Sequence, residues 1–193
     1  RTSSEIKDFV EFHNKLYFTA FDGSRRLLWV YDGDRLAEPC KAFTMEIGTS
    51  GLRPQVVGDH LLLSAKESSD QEASLWVFDG VNSPVAMRSP QGENLLASSC
   101  LSSMHEGILY FIARTRTEQH ELWSYTPREG LERHSSFSEL EGLSIDNYGE
   151  VQGLFHWQGD VLVRVVQRKK GKTTYFLWKL VGGRLAPFME LKG

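Results

Sequence analysis

The sequence predicts an all-β fold made of four similar antiparallel sheets, and two recurring landmarks support this prediction. The first is a leucine–tryptophan pair that recurs at spacings of 47, 47 and 55 residues, with its tryptophans at Trp29, Trp76, Trp123 and Trp178. The second is a short apolar stretch whose first Leu or Val precedes each tryptophan by 13 to 17 residues. Two landmarks that recur together at a period near 47 residues indicate an internal repeat.

Within the first repeat, apolar segments alternate with turn residues in the manner of short strands. The segments 6–12, 16–21 and 27–31 are predicted strands, and the second of them is rich in β-forming residues. The segment 36–43 is predicted to be a fourth, weaker strand. Turns are predicted at His13-Asn14, at Asp22-Gly23 and at Asp32-Gly33. Glycine after aspartate provides the positive φ that a tight hairpin turn requires.

The remaining repeats follow the same order of strands and turns. Strands are predicted at 55–57, 61–65, 75–78, 85–88, 109–113, 122–125, 154–156, 161–166, 175–180 and 185–191. The third repeat has only two clear strands. One turn of helix is predicted at 138–143, and no other helical segment is expected.

Four strands in each unit of 40 to 50 residues are typical of a β-propeller blade. We therefore predict one domain, residues 1–193, that forms a four-bladed β-propeller with blades at 1–50, 51–100, 101–148 and 149–193. The four repeat tryptophans are expected to form the structural core between blades. Three alternatives remain open: half of a larger propeller completed by another chain, an excised fragment, and a β-sandwich.

Composition excludes several partner classes. The net charge of −3 and the pI near 6.1 give no electrostatic reason to expect nucleic acid. The apolar runs are far shorter than the roughly 20 residues of a transmembrane helix, so no transmembrane segment is expected. We also expect no cofactor. Cys40 and Cys100 are expected to be isolated buried thiols, with a single bridge as the alternative. The chain begins at Arg1 without an initiator Met, which indicates a processed or trimmed product.

The stretch 14–33 resembles the Glu-Leu-Trp-x-x-Asp-Gly-Thr repeat family, and residues 121–123 keep its Glu-Leu-Trp. The resemblance implies propeller blades on a secreted or cell-surface protein. The Thr of the motif is missing from all four repeats, and 128–130 and 181–183 replace its Asp-Gly. Hemopexin-like four-bladed propellers are a more distant analogue, because the Asp-Ala dipeptide that opens their blades is absent here.

Few residues form a pattern typical of a metal, catalytic or phosphate-binding site. The Asp-Gly pairs are too short for a calcium loop and are read as hairpin turns. His13, His60, His105 and His156 all lie near the turn before a second strand, where a metal or proton-linked site is conceivable. Since they do not share one repeat position, we predict exposed turn residues and no metal site. No nucleophile motif or phosphate loop is present.

The best candidate binding segment is the longest break in the repeat, residues 139–153, with Trp157 just after it. Loops vary at low cost to a repeat scaffold, so such breaks favour function. The candidate residues are Glu139, Glu141, Asp146, Asn147, Tyr148, Glu150 and Trp157. An acidic loop with an exposed Tyr suits a basic or sugar-like partner, and a plain solvated loop is the alternative. The basic tip 168–172 is read as a solubilising hairpin.

The sequence therefore predicts a recognition module without catalysis of its own, whose partner is another protein bound through propeller loops. The first alternative is a lectin-like propeller that binds a glycan between blades. The second is an enzyme with its site in the central channel, which would need a cluster of acids, histidines or a metal there.

Overall fold

The structure, a computed structural model, describes residues 5–48, 51–68, 71–96, 101–116, 120–136, 150–169 and 171–192. In this part of the chain the regular structure is entirely β, with no helix. The strands are β1 (Lys7–Phe12), β2 (Lys15–Phe21), β3 (Arg26–Tyr31), β4 (Glu38–Pro39), β5 (Glu46–Ile47), β6 (Gln55–Val57), β7 (His60–Lys66), β8 (Ser74–Phe78), β9 (Val85–Ala86), β10 (Ser102–His105), β11 (Ile108–Ala113), β12 (Glu121–Thr126), β13 (Gly130–Ser136), β14 (Glu150–Trp157), β15 (Asp160–Lys169), β16 (Lys172–Val181) and β17 (Arg184–Lys192). The chain divides into two compact units, residues 1–100 and 101–193.

Each unit contains two antiparallel sheets. In the first unit, the first sheet has the order β1-β2-β3-β4, and the second has the order β5-β7-β8-β9. Strand β6 pairs with the same strand as β5, so the two short strands follow each other along one edge of β7. In the second unit, the third sheet is β10-β11-β12-β13 and the fourth is β14-β15-β16-β17. The prediction of an all-β chain with four antiparallel sheets is confirmed.

The strand pairing explains why the two sequence landmarks recur together. In each sheet the repeat tryptophan pairs directly with a residue of the apolar stretch before it. The pairs are Phe18 with Trp29, Leu63 with Trp76, Phe111 with Trp123, and Val163 with Trp178. Each sheet therefore repeats the same pair of central strands in the same register.

The core of the first unit lies between its two sheets. Tyr17 and Leu28 of the first sheet belong to one buried cluster with Leu61, Trp76 and Phe78 of the second sheet. The Tyr17 and Phe78 rings meet edge to face with centroids 6.4 Å apart. Each fully buried leucine of this kind contributes about 1.5–3 kcal/mol. The second sheet thus directs its tryptophan towards the sheet that precedes it.

The core of the second unit repeats this arrangement. Ile112 and Leu122 of the third sheet cluster with Val163, Val165 and Trp178 of the fourth. Again the tryptophan of the later sheet faces the earlier one. Cross-strand neighbours on one face carry this packing, which is why the register of the central strands is tightly specified.

The predicted turn chemistry is confirmed at the Asp-Gly pairs. Asp22, Asp32 and Asp79 each accept backbone N–H groups from the residues two and three positions ahead, at 2.7–3.2 Å. The glycines that follow have φ between 85° and 107°. Gly80 is the most constrained, because an added Cβ would lie 3.0 Å from Nδ1 of His13.

Some strand predictions differ from the structure. The fourth strands of the first and second sheets contain only two residues each, and the prolines at 39 and 84 cannot donate to a strand ladder. Strands β10 and β13 were not predicted, because they are polar and lack β-branched residues. The Ser138–Leu143 segment lies outside the described residues.

The two cysteines also have different outcomes. Cys40 is a free thiol in the core of the first unit, and burial raises its pKa. The single-bridge alternative is therefore not found, and Cys100 itself lies outside the described residues.

Candidate functional site

Most of the predicted binding segment lies outside the described residues, namely Glu139, Glu141, Asp146, Asn147 and Tyr148. Glu150 is the first residue of β14, and Trp157 is its last. The turn that follows, Gln158-Gly159, has positive φ at both residues, as in a type I′ hairpin. The structure thus places Trp157 at a strand end fixed by a tight two-residue turn.

Trp157 differs from the repeat tryptophans in its exposure. It is 51% exposed, whereas Trp76, Trp123 and Trp178 are at most 6% exposed and Trp29 is half-buried. Its ring centroid lies 6.4 Å from that of Phe188, which is itself 41% exposed. Exposed apolar side chains that lie next to each other are candidates for a contact surface.

The alternation of side chains along β14 explains this exposure. Leu154 and His156 point towards the third sheet, and Leu154 belongs to the core cluster there. Phe155 and Trp157 therefore point to the opposite face of the fourth sheet. We call this face, defined by Phe155, Trp157, Arg164 and Lys179, the aromatic-basic face.

The charged groups of the aromatic-basic face differ in their pairing. Lys179 Nζ lies 2.6 Å from Asp160 Oδ2, so its charge is compensated locally. The Arg164 guanidinium donates to the backbone carbonyl of Gln152 at 3.3 Å, and none of the ion pairs among the described residues includes it. The face thus combines exposed rings with a cation that has no acidic partner there.

A second polar cluster lies inside the second unit, where the third and fourth sheets meet. The rings of His105 and His156 stack with centroids 4.4 Å apart, and the Tyr110 ring lies 5.5 Å from that of His156. His156 Nδ1 is 2.7 Å from Ser103 Oγ, and His134 Nε2 is 2.7 Å from Ser124 Oγ. We use the name histidine cluster for the following residues: Ser103, His105, Tyr110, Ser124, His134 and His156.

Burial determines the protonation of this cluster. It lowers the pKa of His134, and it lowers the pKa of His156, which the neighbouring His105 lowers further. The Nε2 atom of His156 is buried, with no hydrogen-bond partner among the described residues. A neutral imidazole tolerates this environment far better than an imidazolium does.

The Ser124–His134 pair does not form an accessible nucleophile. The Ser124 residue is only 6% exposed, and so is the side chain of His134. A substrate carbonyl has no approach to Ser124 Oγ unless the third and fourth sheets separate.

The four histidines near second-strand turns were predicted to be exposed, and this is wrong for His105 and His156, which are partly buried because their rings stack on each other. Of the four histidines near second-strand turns, the structure brings His105 and His156 together, while His13 and His60 belong to the other unit. Sequence reasoning missed His134, because it lies on the unpredicted strand β13. Among the described residues, no three His, Cys, Asp or Glu side chains are grouped so as to hold a metal ion.

A small surface groove in the first sheet was also not predicted. It has a volume of about 170 Å³ and is lined by Lys15, Asp32, Arg35, Leu36 and Lys41, among others. Leu36 is 93% exposed at its edge. Acidic and basic groups are mixed here, with Glu38 and Lys41 paired at 3.3 Å. The groove therefore has no dominant charge that would select a ligand.

Comparison with known proteins gives no identification. No family model matches the chain, and no curated protein matches it significantly. No described segment forms a helix long and apolar enough to cross a membrane.

Proposed function

We propose that the four sheets are the blades of one four-bladed β-propeller that spans residues 1–193 and belongs to the repeat family that 14–33 resembles. Two observations support this proposal. The central strands of all four sheets pair in the same register, and Trp76 and Trp178 each face the sheet that precedes their own.

Solution mass, measured by light scattering, tests this architecture. A closed four-bladed ring is expected to be a stable monomer at all concentrations. A stable dimer would instead support half of a larger ring that is shared between two chains.

We further propose that the protein is a non-catalytic recognition module that binds a protein partner through Trp157 and Phe188. The exposed ring pair at a fixed strand end carries this proposal. Tryptophan is among the residues that contribute most binding energy at protein interfaces, since it buries a large apolar area at a small cost in side-chain entropy. The resemblance also leads us to propose a secreted or cell-surface setting.

Site-specific photo-crosslinking tests the recognition role. The crosslinking residue benzoylphenylalanine replaces Trp157 in one variant and Val81 in a control, because Val81 is 77% exposed but lies in the other unit. We expect a discrete protein adduct from position 157 and none from position 81. Excess wild-type protein should suppress the adduct, and excess Trp157→Ala should not.

Two outcomes would contradict this function. Equal adducts at positions 157 and 81 would show that the labelled site has no specificity. Saturable binding on a glycan array that free sugar inhibits would support the lectin-like alternative instead.

A further inference from the structure

The fourth sheet differs in charge from the rest of the chain. Residues 150–193 contain eight Lys and Arg against three Asp and Glu, a net charge of +5. Residues 1–149 contain fourteen against twenty-two, a net charge of −8. The mild acidity of the whole chain therefore conceals one basic sheet.

Strand register places part of this charge on the aromatic-basic face. Arg164 pairs with Gly153 and Leu177, and Lys179 pairs with Leu162, so these two cations share a face with Phe155. Arg184 lies on the same face, because it pairs with Val181 two residues beyond Lys179. It is exposed, and none of the ion pairs among the described residues includes it.

Gly153 shows how closely cation and ring are associated. A Cβ built on this glycine would lie 3.7 Å from Arg164 Nε and 3.9 Å from Phe155 Cδ1. The Arg164 side chain and the Phe155 ring therefore both lie next to Gly153, which has no side chain of its own. The face offers a charged fork and an apolar ring within the reach of one ligand side chain.

We propose that the aromatic-basic face, with Arg184 and Phe188, binds an acidic protein segment that also carries apolar side chains. This inference rests on the proposed recognition function and names its partner class. Exposed guanidinium groups bind carboxylates in a bidentate fork, and the rings of Trp157 and Phe188 supply the apolar contact.

The charge distribution favours a short acidic segment over a long polyanion or an anionic membrane. Screening limits electrostatic attraction to about 8 Å at physiological salt, so a short segment on the fourth sheet is attracted mainly by that sheet's cations. A nucleic acid strand or a membrane surface is an extended polyanion, and the net charge of −3 of the whole chain gives it no long-range attraction.

Fluorescence anisotropy with synthetic probes tests the inference. The probes are three labelled peptides of equal length that share the same Leu and Phe positions and differ only in Glu, Lys or Ser at the remaining positions. Oligothymidylate and phosphatidylserine–phosphatidylcholine vesicles represent the other polyanions. We expect the Glu peptide to bind at least about tenfold more tightly than the Lys peptide, with affinity that falls as salt rises.

Two double variants with the same change of charge separate a local site from general attraction. Arg164→Glu with Arg184→Glu should weaken binding of the Glu peptide by about tenfold or more. Arg25→Glu with Arg35→Glu, two exposed positions in the first unit, should leave it within about twofold, as expected for a site that depends on short-range pairs. Equal melting temperatures for the variants confirm that folding is intact.

Several results would overturn the inference. They are equal affinity for the Glu and Lys peptides, equal losses in the two double variants, and tighter binding of oligothymidylate or vesicles than of the Glu peptide. A partner that crosslinks at position 157 but whose affinity changes neither with salt nor in the Arg164→Glu, Arg184→Glu variant would also reject the inference. That result would leave the proposed recognition function intact. Absence of any adduct at position 157 rejects the recognition function itself.

Discussion

The histidine cluster makes the second unit sensitive to mild acid. Burial holds the pKa of His134 and His156 below the ordinary value of 6.5. The unfolded chain therefore binds protons near pH 6 that the folded chain rejects. Their contribution to stability is complete above pH 6.5 and is lost as the pH falls from there towards the folded-state pKa values.

The size of this effect follows from the number of protons. Each histidine that titrates only in the unfolded state changes the free energy of unfolding by at most about 1.4 kcal/mol per pH unit. For His134 and His156 together the limit is about 2.7 kcal/mol per unit. The nearest acids, Glu132 at 3.9 Å from His134 and Glu106 at 3.9 Å from His105, are largely exposed and compensate little.

Urea unfolding between pH 5 and 7.5 measures this slope, and His156→Gln isolates one proton. Glutamine can still bond to Ser103 but carries no charge, so the slope should fall by up to about 1.4 kcal/mol per pH unit. A protein that is as stable at pH 5 as at pH 7, or a His156→Gln variant with an unchanged slope, would refute the reasoning.

Three further predictions concern stability. Gly80→Ala should destabilise by about 1–3 kcal/mol more than Gly23→Ala in urea unfolding, because both positions have positive φ but only Gly80 has side-chain atoms at 3.0–3.1 Å. Asp79, whose pKa the Asn82 side chain and two backbone N–H groups lower to about 2, should stabilise the fold above pH 4 and lose that effect as the pH falls to 2. Asp79→Ala should therefore flatten acid unfolding curves in this range. Trp178→Ala should cost about 3–5 kcal/mol because the ring is 4% exposed, whereas Trp157→Ala should be nearly neutral.

Each of these predictions has a contrary result. Equal losses at Gly80 and Gly23 would show that the close contact has no cost. An unchanged acid transition in Asp79→Ala would show that the turn hydrogen bonds do not couple to folding. Equal destabilisation at Trp178 and Trp157 would mean that the measured exposure of the two rings does not govern their energetic roles.

Local chemistry in the sequence was enough to determine the class of fold. Alternating apolar strands, Asp-Gly turns and the recurring Leu-Trp pair predicted antiparallel sheets, because turn geometry and strand propensity depend on residues close together in the chain. The pairing of each tryptophan with the apolar stretch before it follows from the same short connections. Polar strands such as β10 and β13 escaped prediction, since sheet neighbours rather than composition stabilise them.

Tertiary structure decided which side chains meet. Bulges between Val151 and Gly153 and between Leu177 and Trp178 change which residues share a face. Gly153 and Pro187 lie beside them and are residue types often found at bulges, but local sequence does not fix the register that results. Trp157 was identified from its place beside a break in the repeat, but its exposure, its contact with Phe188 and the arginines that share its face depend on register. The contact of His105 with His156 likewise requires two sheets to pack, because residues 51 positions apart approach only when the core of the second unit forms.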